Sequence, residues 1–169
     1  SHQETVVGGL MSTVRPPAVA GMFYPADPDE LRGMLQEYLQ AAQPVKTIPR
    51  AMILPHAGYI YSGPIAASVY AQLASGKGTI QRVILLGPAH RVALQGLAAS
   101  SAQAFATPLG DVPVDQEALA DILDLPQVSV WDEAHAFEHS LEVHLPFLQR
   151  IYDQFSIVPL VVGQASEQE

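Results

Sequence analysis

No cysteine occurs in the 169 residues of this chain. Disulfide staples, thiolate metal ligands and cysteine-held iron–sulfur clusters are therefore excluded. Cations are almost as scarce: eight Lys and Arg stand against seventeen Asp and Glu, for a net charge of −9. Nucleic acid and anionic membrane both demand clustered positive charge, so neither is expected as a partner. The chain also lacks an apolar run of about 18 residues, the length that marks a membrane-spanning helix. No secretory leader pattern is present, which leaves the cytoplasm as the expected compartment. Repeats and low-complexity tracts are missing too.

What is present is a hydrophobic fraction of 49%, enough for a globular domain with a sizeable core. Residues 1–10 are unlike the rest and read as an added or disordered leader, with Met11 a natural start. Residues 11–169 read as a single α/β domain.

That domain is organised around residues 54–64, LPHAGYIYSGP. The apolar run 51–54 (AMIL) reads as a short buried strand, which Pro55 stops by removing a donor. His56 then lies just past the strand's end. Ser62-Gly63-Pro64 is expected to open a helix, with Pro64 at its first position. In an open α/β sheet, the crevice outside the strand ends is where ligands bind. Residues 82–86 (RVILL) repeat the device as a strand covered on both faces, followed by Gly87, Pro88, Ala89 and His90. Side by side, the two strands would bring His56 and His90 to one rim. Imidazoles converging there are metal ligands or an acid–base pair.

The third motif is EHSLEVHLPFL, residues 138–148. Leu141, Leu145 and Leu148 share a helical face, and Pro146 fits only a first turn or a kink. His139 and His144 are five apart, about 140° around a helix, so one regular helix cannot turn both toward one ion. Glu142 and His144 read as surface residues, and His135 as solvated. Glu138 and His139 read differently. Either Glu138 completes a 2-His-1-carboxylate set, or the pair stands behind the ligands and fixes the tautomer of one of them.

PHAGYIYSG, LLGPAHR and EHSLEVHLPFLQ, in that order and preceded by RPPAVAGMFYP, resemble the Memo family, the B component of the AmmeMemoRadiSam set. The likeness runs from about Arg15 to Gly163. It implies a three-layer α/β/α fold with a mostly parallel sheet, similar to the class III extradiol dioxygenases, which are non-haem iron enzymes. It also implies His56 and His90 as ligands of a divalent metal, Fe(II), Cu or Zn. Glu138 and His139 then stand behind the ligands or face substrate, as the acid–base residues of a dioxygenase-like oxidoreductase if the site is catalytic. Tyr59 and Tyr61 line the pocket wall. In the related dioxygenases the third ligand is a carboxylate far down the chain, and in better-known Memo members a cysteine. Neither has a counterpart here, and the family's C-terminal part is expected to be missing. Two other readings stand beside this one. The rim could be a non-catalytic module for a peptide or a phosphate, the latter at the helix opening. The chain could also be a protein partner of a radical SAM enzyme, though without a CxxxCxxC motif it cannot be that enzyme. An uncovered sheet edge would be relieved by self-association, so a homo-oligomer is expected.

Elsewhere the reading is conventional. Residues 15–25 form an arm anchored by Phe23 and Tyr24. Asp27 begins a helix whose Leu31, Met34, Leu35, Tyr38 and Leu39 face the core. Strands are expected at 96–101, 128–131 and 157–163, an irregular or antiparallel excursion at 105–111, and a helix capped by Asp115. Pro159 argues for an edge position or an irregularity in the last strand.

Overall fold

The computed structural model describes residues 13–43, 47–164 and 166, so the expected leader lies outside the described residues. The α/β class is as expected, with strands in two sheets. The smaller sheet starts at β1 (Val14–Arg15), which runs parallel to β4 (Ala104–Thr107); β4 forms an antiparallel hairpin with β5 (Gly110–Pro113). The larger sheet contains β2 (Arg82–Pro88), β7 (Ser156–Val162), β3 (Leu97–Ala99) and β6 (Val128–Val130), side by side in that order. Its β2–β7 and β3–β6 pairs are parallel, and β3 meets β7 antiparallel. A bridge between Val114 and Ile157 ties the two sheets together.

Helix α1 (Pro28–Ala41) begins where Asp27 accepts the Glu30 N–H at 2.9 Å, with Pro28 in the first turn. Its Leu31 and Leu35 are completely buried. Helix α2 (Tyr59–Leu73) packs against α1 and against α5 (Leu145–Ile151), which follows a short 3₁₀ turn at Glu142–His144. Leu141, Leu145 and Leu148 form the buried face, and Pro146 sits in the first turn of α5. Two further short helices are α3 (Gln116–Ile122), where Asp115 accepts the Ala118 N–H at 2.9 Å, and α4 (Glu133–Ala136). Among the described residues no helix is long and apolar enough to cross a membrane.

Four local expectations need correction. Among the described residues, 51–54 form no strand and no backbone pairing, and Ile53 is fully exposed. Strand β2 is an edge strand, not one covered on both faces: Ile84 and Leu86 are about 60% exposed. Helix α2 opens at Tyr59, five residues before Pro64, which lies inside it on the solvent side. The carbonyl that loses its donor to Pro64 belongs to the exposed Ile60, where water can replace the bond. Pro159, finally, is in a central strand. Ser156 N–H donates to Gln81 and Val162 C=O accepts from Ala89, so the even residues of β7 serve β2. Pro159 turns its missing donor the other way, where β3 reaches only Val161 and Val162. The gap that proline needs is there.

Candidate metal centre

Three histidines from three separate segments meet at the end of β2. His56 comes from the irregular stretch before α2, His90 from two residues beyond β2, and His139 from the loop between α4 and the 3₁₀ turn. Each offers a ring nitrogen, and the three lie within 4.8 Å of one another. Ring centroids are 5.2 Å apart for His56 and His90, 5.7 Å for His56 and His139, and 4.6 Å for the stacked His90 and His139. Phe23, the arm residue, supports the far side of His139 at 4.5 Å.

Glu138 organises this group from behind. One carboxylate oxygen accepts the His90 backbone N–H at 2.5 Å. The other meets His90 Nδ1 at 2.8 Å and accepts the N–H groups of His139 and Ser140 at 2.9 and 3.0 Å. Burial alone would raise this carboxyl's pKa; the His90 ring and the backbone donors outweigh it and hold the group below the usual carboxylate range. An ionised Glu138 fixes a proton on His90 Nδ1, which leaves Nε2 free to ligate. Burial pushes His56 down from the ordinary imidazole value, and the neighbouring His90 adds to the effect. His139 is lowered as well, first by burial. Both rings are therefore neutral at pH 7, as ligation requires.

A deeper layer holds the loop that carries Glu138 and His139. Arg15 donates to the His135 carbonyl at 2.9 and 2.7 Å, to the Glu138 carbonyl at 2.8 Å, and to the Glu142 carboxylate at 2.8 Å. Glu142 also accepts the backbone N–H groups of Ala18 and Val19, at 2.5 and 2.8 Å. Glu142 is thus a buried arm-clamping residue, not a surface one. His144 is buried too, its Nδ1 2.7 Å from the Tyr70 hydroxyl. His135, expected in solvent, is 3% exposed and places Nε2 2.8 Å from the Ala98 carbonyl. The isolated third motif gave no sign of these burials, because the partners Arg15, Tyr70 and Ala98 are distant in sequence.

The sequence-derived site residues distribute as follows. His56, His90, Glu138 and His139 come together. Tyr59 does not join them: it is core, its hydroxyl donating to the Val143 carbonyl at 2.5 Å and its ring packed on Phe147 and Tyr24. Tyr61 is 77% exposed. Placing His139 among the imidazoles, rather than behind them, is what the sequence reading missed. Its adjacency to Glu138 was the available signal.

A cluster of three imidazoles at the rim of an α/β fold, backed by one carboxylate, defines a protein with a candidate metal centre. The model of the Memo-like protein family matches residues 15–169, and the chain belongs to that family. It is 42% identical over 161 residues to a MEMO1 family protein of Ignicoccus hospitalis, covering 88% of this chain and 56% of that protein. It is 44% identical over 151 residues to a MEMO1 family protein of Aquifex aeolicus, covering 88% and 55%. A relative from Archaeoglobus fulgidus is 42% identical over 159 residues, covering 92% and 56%. The chain thus spans little more than half the length of these relatives.

Proposed function

We propose that the chain holds a divalent metal through His56, His90 and His139, in a site akin to those of non-haem iron dioxygenases. The reading rests on one observation, the three ring nitrogens within 4.8 Å of one another. The donor chemistry fits: neutral imidazole suits Fe(II), Cu(II) and Zn(II), and three protein ligands leave a position open for an exogenous oxygen donor. Once bound, such a metal supplies a Lewis-acid centre that polarises that donor. The protein's part is to orient. Glu138 holds the His90 ring in its ligating tautomer, Phe23 fixes His139, and Arg15 anchors the loop beneath both.

Calorimetric titration of the untagged protein with Zn(II), Cu(II) and anaerobic Fe(II) tests the reading. Cu(II) should bind tightest of the three, following the Irving–Williams order. His56→Ala, His90→Ala and His139→Ala should each weaken binding, and Glu138→Gln should cost about 10–100-fold through loss of the oriented ring. Unchanged affinity in His139→Ala would reduce the site to two ligands and sink the proposal. Oxygen uptake by the ferrous protein with a catechol, lost in His90→Ala, would add catalysis.

A further inference from the structure

The histidine cluster opens to solvent on the His90 side. His90 is exposed, whereas His56 and His139 are half-buried. The next residue is Arg91, also exposed, in the bend that leaves β2. Consecutive Cα atoms are about 3.8 Å apart, so a long side chain rooted there can lie across that entrance.

Arg91 carries a charge that nothing neutralises. Arg15, Arg32, Lys77 and Arg82 each pair with a carboxylate, namely Glu142, Asp29, Asp153 and Asp115 in turn. Among the described residues, the Arg91 side chain has no ion pair and no hydrogen bond. In a chain with seventeen acids and only eight bases, a carboxylate partner would have been easy to supply. Glu138, beneath the cluster, is already engaged. One oxygen serves the His90 N–H, and the other serves His90 Nδ1 and two further backbone N–H groups. The Arg91 charge is nevertheless felt among the rings. Burial is the main cause of the lowered His139 pKa, and Arg91 adds to it. At His56 the neighbours that contribute are His90 and Glu138. The guanidinium therefore stands toward His139, across the entrance from His56.

A divalent ion on three neutral rings brings two positive charges to a rim where Glu138 offsets one. With Arg91 beside it, the loaded entrance is a positive spot on a chain of net charge −9. An arginine fork matches a carboxylate in shape as well as in sign. Two cationic points, the ion's open position and the fork, call for two oxyanions in one small ligand. We propose, on the metal reading given above, that this centre takes a small dicarboxylate, with one carboxylate for the metal and the other for Arg91.

The probe is succinate, and its control is butyrate, which has a methyl group in place of the second carboxylate. Each is titrated into the Cu(II)-loaded protein while the visible absorption of the copper is followed. Succinate should bind about three- to tenfold more tightly than butyrate at low salt. The preference should fade in about 1 M NaCl, since the pair is exposed. Arg91→Gln should bring succinate down to the level of butyrate. Arg91→Lys should keep only part of the preference, having the charge without the fork. Loading with Cu(II) is measured first, so the two readings fail separately. A protein that takes up no Cu(II) removes the metal centre and this ligand with it. A loaded centre that binds succinate no better than butyrate overturns the dicarboxylate alone. A preference that survives in Arg91→Gln would belong to the ion, and Arg91 would have no part in it.

Discussion

His144 and Arg15 are the two residues whose roles reach furthest beyond their neighbourhoods. Burial pushes the His144 imidazole down to about 4, with His56 contributing. In the unfolded chain the same ring titrates near 6.5. Between those values the unfolded chain takes up a proton that the folded ring refuses. The stabilising contribution is therefore complete above about pH 6.5 and is lost as pH falls toward 4, to the extent of roughly 3 kcal/mol. In His144→Gln, which still offers Tyr70 a hydrogen-bond partner, urea unfolding should show a shallower pH dependence over that range. An unaltered slope would mean His144 is not buried as described. For Arg15 the expectation concerns stability at neutral pH. Its guanidinium pairs with a Glu142 carboxylate whose side chain has no exposure. Removing one partner strands the other charge, so Arg15→Met should lose about 3–5 kcal/mol in chemical denaturation. The variant should also weaken metal binding, because the His135 and Glu138 carbonyls lose their tether.

At the scale of elements, what was legible in the sequence was whatever local chemistry determines. Asp27 and Asp115 cap their helices because a short carboxylate followed by free amides is a complete local unit. Strand β7 follows from its β-branched run, whereas the turn signals at 105–111 left that segment open between a hairpin and an irregular excursion. Local patterns do not say who the neighbour is, and the misreadings lie there. RVILL is equally apolar on an edge or in the centre, so the exposure of Ile84 and Leu86 could not be read from it. The same limit hid the partners of Glu142, His135 and His144. One glycine shows how element packing reaches the site. A Cβ on Gly87 would come within 2.6 Å of Ser140 Oγ and 2.7 Å of Leu141 Cδ2. Ser140 Oγ donates to the Pro88 carbonyl at 3.0 Å, and its backbone N–H holds Glu138. Gly87→Ala should push this loop off the end of β2, costing about 1–3 kcal/mol as overpacking does. The reading that separates this from a purely structural defect is metal affinity, which should fall in the folded variant as His139 leaves its position.

For the molecule as a whole, the candidate centre acts as a cross-link. His56, His90 and His139 are separated by 34 and 49 positions of sequence, read directly from their numbers, and they belong to an unpaired stretch, a strand end and a loop. The unfolded chain does not hold the three rings together, so metal binds the folded state in preference. Mass action then stabilises that state by about 2.7 kcal/mol at a free-metal concentration a hundred times the dissociation constant. In a chain of this size such a gain should raise Tm by roughly 5–10 °C. The segment with most to gain is 48–56, which has no backbone partners among the described residues and is held by the packing of Ile48, Met52 and Leu54 against the core. Zn(II) added during thermal unfolding followed by circular dichroism should therefore shift Tm upward and saturate at one equivalent of bound metal. His139→Ala should flatten the shift without lowering the metal-free Tm to the same degree, since its ring lies at the rim and fills little core volume. If Zn(II) left Tm unchanged at saturation, the three imidazoles would be no cross-link, and their convergence would be packing alone.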